Sequence, residues 1–103
     1  MPTSTVRYQD NLRTEATHQQ SGSSIFTDAP TDNYGQGAAF SPTDLLATSL
    51  ATCMLTTIGI RAQSHGWSLG TMAADVTKVM GKDPRRVKRI EVKLEIEDCG
   101  LLS

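Results

Sequence analysis

Residues 45–60 read Leu-Leu-Ala-Thr-Ser-Leu-Ala-Thr-Cys-Met-Leu-Thr-Thr-Ile-Gly-Ile, without one charged side chain. Apolar or small residues fall on every face of a helix drawn through this run, and such a helix is buried on most sides. Its start is marked by Ser41, which can accept from the first turn, by Pro42 at the first helical position, and by Asp44 in a capping-box-like Ser-x-x-Asp. Its end is marked by His65 in the last turn and by Gly66, suited to a left-handed cap. The uncharged run falls short of the roughly 20 residues of a bilayer span and carries Thr48, Ser49, Thr52, Thr56 and Thr57. It therefore reads as the central helix of a soluble domain, with Cys53 near its middle.

The rest of the chain bounds what that helix belongs to. A chain of 103 residues makes one domain, 1–103, able to bury a core while leaving much apolar surface exposed. A net charge of -1 gives no global attraction to nucleic acid or anionic membrane, so neither is expected as a partner. Met1-Pro2-Thr3-Ser4-Thr5 has neither a basic segment nor an apolar run, which points to the cytoplasm. Two cysteines, Cys53 and Cys99, are too few for a disulfide scaffold. No His or Cys pair has metal-ligand spacing; His18 and His65 read as exposed side chains, and no metal or other cofactor is expected.

The first forty residues alternate strand and turn signals. Val6-Arg7-Tyr8, Leu12 to Thr17 and Ser24-Ile25-Phe26-Thr27 are β-type segments separated by turns at Asp10-Asn11 and Gln19-Gln20-Ser21-Gly22, an antiparallel meander. A loop, Ala29 to Ala39, leads to the helix. Its Gly35-x-Gly37 lacks the third glycine and the lysine of a phosphate cradle. After the helix, Thr71 to Met80 reads as a strand, Gly81-Lys82-Asp83-Pro84 as a turn, and Val87 to Glu97 as a strand in which Ile90, Val92, Leu94 and Ile96 alternate with charged residues. The apolar face of this hairpin is expected to pack on the central helix, giving an α+β fold. Lys82, Arg85, Arg86, Lys88 and Arg89 cluster at the turn; without interleaved aromatics they read as a solvated turn.

Asp28-Ala29-Pro30, Gly35-x-Gly37, Ser41-Pro42-Thr43-Asp44-Leu45-Leu46, Leu50-x-x-Cys53-Met54 and Asp83-Pro84-Arg85-Arg86 together resemble the OsmC/Ohr family of thiol-dependent hydroperoxide reductases. The likeness covers nearly all of this chain and the N-terminal two-thirds or so of a typical member, so the family's C-terminal helix and strands are expected to be missing. The resemblance implies a swapped α+β homodimer in which the central helices meet and each active site lies at the interface. It also implies that Cys53 is the peroxidatic thiol. That thiol would attack a small hydroperoxide to leave a sulfenic acid, a second thiol would convert this to a disulfide, and an external dithiol would reduce it.

Cys53 lies three turns into its helix, where the N-terminal dipole has faded, so a cation must favour the thiolate from elsewhere. In the family an N-terminal arginine does this, held by a glutamate two residues after the start of the helix. That glutamate position is Thr43 here, with a carboxylate next door at Asp44. Of the two arginines before the helix, Arg7 and Arg13, Arg13 is the one assigned to the role. Cys99, in Asp98-Cys99-Gly100, lacks the proline that follows the family's resolving cysteine and reads as a thiol at a strand end. Two other readings stand beside this one. The first is a non-catalytic module with an inert Cys53 that buries a small apolar ligand at a dimer interface; the second is a nucleic-acid binder acting through the basic turn.

Overall fold

The computed structural model describes residues 2–97, and Cys99 lies outside them. The chain divides into two compact units, Met1–Leu45 and Leu46–Ser103. The first holds a three-stranded antiparallel meander of β1 (Ser4–Tyr8), β2 (Arg13–His18) and β3 (Ser24–Asp28), in that spatial order. The turn at residues 19–22 sets the β2–β3 register, pairing Thr17 with Ser24 and Arg13 with Asp28. One face aligns Val6, Ala16 and Ile25 across the strands, and the other aligns Arg7, Glu15 and Phe26. Between β1 and β2 the chain reverses through Asp10, Asn11 and Leu12, all three at positive φ. Asp and Asn visit this region readily; Leu12 does not, and is held there by the Tyr8 hydroxyl on its N–H and by the Ala29 N–H on its carbonyl.

The loop after β3 contains a short 3-10 helix, Thr31–Asn33, which the sequence had not announced. The loop then closes on itself where Gly35 N–H donates to Pro30 O at 2.9 Å and Gly37 N–H donates to Ala29 O at 3.3 Å. A Cβ built at Gly35 would lie 1.7 Å from the Ala29 carbonyl oxygen, so only glycine fits. The Gly35-x-Gly37 pattern is thus a packing requirement of the loop.

The helix α1 runs Pro42–Ser64. Its capping box is reciprocal: Asp44 N–H donates to Ser41 Oγ at 3.0 Å, and Ser41 N–H donates to Asp44 Oδ2 at 3.0 Å. It ends as expected, with Gly66 at φ 67 and the bonds Gly66 N–H to Gln63 O and Trp67 N–H to Ala62 O, a Schellman motif. At 23 residues, with a window of mean hydropathy 1.4, α1 is long and apolar enough to cross a membrane, a test that core helices of soluble domains also pass.

Burial of α1 on most sides, the expectation from its composition, is not what the chain provides. Ala47, Ala51 and Ala62 are buried, whereas Leu46, Leu50 and Ile60 are 56%, 44% and 63% exposed. The physical reason is that all-round apolarity states a need for cover without supplying it. Within the second unit, among the described residues, the hairpin's apolar face is not seated along α1 as expected; only its end, at Ile96, comes beside Ile58 and Ala62.

That hairpin consists of β4 (Met72–Gly81) and β5 (Arg86–Ile96) in antiparallel register. Met72, Ala74, Val76 and Lys78 lie opposite Ile96, Leu94, Val92 and Ile90 on its half-covered face. A bulge follows: Val79 pairs with Arg89 but Met80 pairs with Val87, so Lys88 is the extra residue. Without it Val87, three residues from Ile90, would point to the wet face; the bulge returns it to the apolar one.

Candidate functional site

Cys53 lies eleven residues beyond Pro42, about 16 Å along the axis at 1.5 Å per residue. Its side chain is exposed and free of any disulfide. It stands in a stripe spaced four and three residues apart, Leu46, Leu50, Cys53, Thr57 and Ile60, all of them exposed. The neighbouring hydroxyls are committed to the helix backbone, with Ser49 Oγ donating to Leu46 O at 2.7 Å and Thr52 Oγ1 donating to Ser49 O at 2.8 Å. The thiol therefore sits on a largely apolar, accessible helix face, with the Thr57 hydroxyl one turn further on in the same stripe.

The other residues singled out from the sequence lie in the first unit. Arg13 is engaged by a residue the sequence reading had passed over as a site: its Nε donates to Asp28 Oδ1 at 2.9 Å and its Nη2 to Asp28 Oδ2 at 3.1 Å. Asp28 is only 3% exposed, and its Oδ2 also accepts the Ala38 N–H at 3.1 Å. The bidentate bond from Arg13 holds the Asp28 carboxyl below the usual range, against the opposing effect of burial, and it raises the Arg13 pKa in turn. The guanidinium carbon also lies 5.8 Å from the centroid of the Phe26 ring. Asp28 N–H donates to Phe40 O, so the pair ties β2 and β3 to the backbone that enters α1.

Thr43 Oγ1 is 3.1 Å from Ser41 Oγ, and the Asp44 carboxylate accepts at the cap. Both therefore serve the start of α1. The Arg13–Asp28 pair was legible from a centred turn: reversing the chain midway through Gln19-Gln20-Ser21-Gly22 places residue 13 opposite residue 28.

At least two of the five basic side chains at the turn are engaged locally. Arg86 Nη1 donates to both Lys82 O and Pro84 O at 2.8 Å, and Arg89 pairs with Glu91 at 2.9 Å. Among the described residues no cluster of His, Cys, Asp and Glu is arranged to hold a metal ion.

The family model described as OsmC-like protein matches residues 35–103, a span that includes Ser41, Thr43, Asp44 and Cys53. No curated protein matches. Among solved structures the chain is similar to a crystal structure from Psychrobacter arcticus 273-4, described as an osmotic stress induced and detoxification response protein. The two share 55% identity with a TM-score of 0.90 over 95% of this chain and 72% of the other. The fold, the capped central helix and the match over residues 35–103 agree, and the chain belongs to the OsmC-like family.

Proposed function

We propose that this protein serves a stress response by reducing small hydroperoxides through the Cys53 thiol, as a cytoplasmic homodimer recharged by an external dithiol. The observation that carries the reading is an accessible cysteine in mid-helix, on an exposed apolar stripe, in a chain of this family. The description of the Psychrobacter arcticus relative as a detoxification response protein supports it.

The chemistry balances with groups of named class. The Cys53 thiolate attacks the distal oxygen of ROOH, forming an S–O bond as the O–O bond breaks. The leaving alkoxide takes a proton to become ROH. A first thiol of the external dithiol then displaces water from the sulfenic acid, and its second thiol releases Cys53 and closes the external disulfide. The apolar stripe favours organic over hydrogen peroxide, because the R group is drawn onto the surface beside the thiol.

The experiment is to add cumene hydroperoxide to the purified protein, trap sulfenic acid with a dimedone-type reagent and follow peroxide loss in the presence of dithiothreitol. Labelling at Cys53, absent in Cys53→Ser, is expected. Peroxide loss that survives Cys53→Ser, or no labelling in the wild type, sinks the reading.

One observation favours a second reading, an inert Cys53 in a non-catalytic ligand-binding homodimer: the Arg13 fork is already occupied by Asp28. In that case Cys53→Ser leaves ligand affinity intact and sulfenic acid never forms.

A further inference from the structure

The Schellman motif that ends α1 folds Trp67 back over Ala62 and so raises one wall of a cleft. Ile58, Arg61 and Ala62 of the helix, Trp67 and Leu69 of the following segment, and Ile96 at the end of β5 line it. Its volume is about 150 Å³, a size at which apolar cavities take up a single benzene ring. Five of the six lining side chains are hydrocarbon or aromatic; the sixth is the Arg61 guanidinium. Among the described residues no carboxylate pairs with Arg61. Glu97, the acidic residue next to Ile96, directs Oε2 to the Thr71 N–H at 3.2 Å.

An apolar slot with one uncommitted cation at its rim is complementary to a small molecule with a compact apolar body and a single negative charge. We propose that this cleft binds small aryl or short-chain carboxylates, the hydrocarbon part seated against Ile58, Trp67 and Leu69 and the carboxylate on Arg61. The site borders the far end of the Cys53 stripe, where Arg61 follows Thr57 by four residues, but it lies away from the thiol itself, Arg61 being eight residues and about 12 Å along the axis from Cys53. Ala62 follows Cys53 by nine residues, about half a turn round the helix at 100° per residue and some 13 Å along it. The proposal therefore stands or falls independently of the peroxide chemistry.

Trp67 is the chain's only tryptophan, so its indole N–H resonance is assigned without ambiguity, and because its ring also lies 4.5 Å from that of His65 the titration is repeated in His65→Ala, where the same shifts are expected. The test is to titrate the protein with benzoate and, separately, with benzyl alcohol, a neutral analogue of nearly the same shape. Saturable shifts are expected for both, with benzoate bound about three- to fivefold more tightly at low salt, the range of an exposed ion pair. That preference should shrink at about 0.5 M salt. It should disappear in Arg61→Met and in Arg61→Gln, while Arg61→Lys retains most of it. Absence of a saturable shift, equal binding of the two probes by the wild type, or an undiminished preference in both neutral variants would overturn the proposal.

Discussion

Gly35→Ala tests the reading of the 29–40 loop most directly. The new methyl carbon would lie 1.7 Å from the oxygen and 2.1 Å from the carbon of the Ala29 carbonyl, both of them backbone atoms. No rotamer change relieves that overlap, so the two segments must separate by roughly 1.5 Å to reach van der Waals distance. Separation breaks the bond from Gly35 N–H to Pro30 O and the bond from Gly37 N–H to Ala29 O, and it pulls on the bond from Ala29 N–H to Leu12 O.

At about 1 kcal/mol net per hydrogen bond the loss is about 2–3 kcal/mol. The smaller conformational freedom of unfolded alanine offsets about 0.4–1 kcal/mol of it. A net destabilisation of about 2 kcal/mol corresponds to a fall in Tm of about 8–15 °C for a chain of this size. Scanning calorimetry on the wild type and the variant measures it. A Tm within about 2 °C of wild type would show that the loop opens freely, and that the Gly35-x-Gly37 pattern has another cause.

Gly59→Ala, in mid-helix with nothing within 4 Å of its Cβ position, should stabilise the protein by about 0.5–1 kcal/mol in urea unfolding; a loss would mean that another chain lies against that side. Ser41→Ala removes the acceptor for Asp44 N–H and should cost about 1–2 kcal/mol, with Asp44→Ala costing a similar amount and the double variant less than the sum. Asp28→Asn should lower the Tm at pH 7. Because the folded Asp28 pKa lies below its unfolded value of about 4, the wild-type advantage is full above that value and is lost as pH falls through the folded pKa, so the two melting curves should converge in acid. A gap that persists unchanged at pH 2 would remove the Arg13–Asp28 pair as its origin.

What could be read from the sequence was what local chemistry decides. Ser41, Pro42 and Asp44 set one end of α1 and Gly66 the other, because caps are satisfied within a turn or two of chain. The last strand followed from alternation, and the β2–β3 register from the turn at residues 19–22. Leu12 at positive φ and the Lys88 bulge were not legible, because each is imposed from elsewhere: by Tyr8 and Ala29 on Leu12, and by the need to return Val87 to the face of Ile90. The same distinction runs through the site. Cys53 could be found from its place in the helix alone, whereas the partner of Arg13 follows only when the turn at residues 19–22 is centred and its pairing is carried along both strands.

The exposed stripe of α1 also bears on the proposed homodimer. Full burial of a Leu or Ile side chain contributes about 1.5–3 kcal/mol, so Leu46, Leu50 and Ile60, each roughly half exposed, hold back about 1 kcal/mol apiece. Two such stripes meeting supply about 6 kcal/mol, which the cost of association, about 4–15 kcal/mol, largely cancels. Helix against helix alone therefore leaves a weak pair, and a stable homodimer has to cover strand surface as well. Val6, Tyr8 and Ile25, all exposed, offer the apolar side of the meander for this. Sedimentation velocity should accordingly show dissociation for Leu50→Glu and, separately, for Val6→Lys. A dimer weakened only by the helix variant would mean that the helices carry the interface alone and that the area argument is wrong.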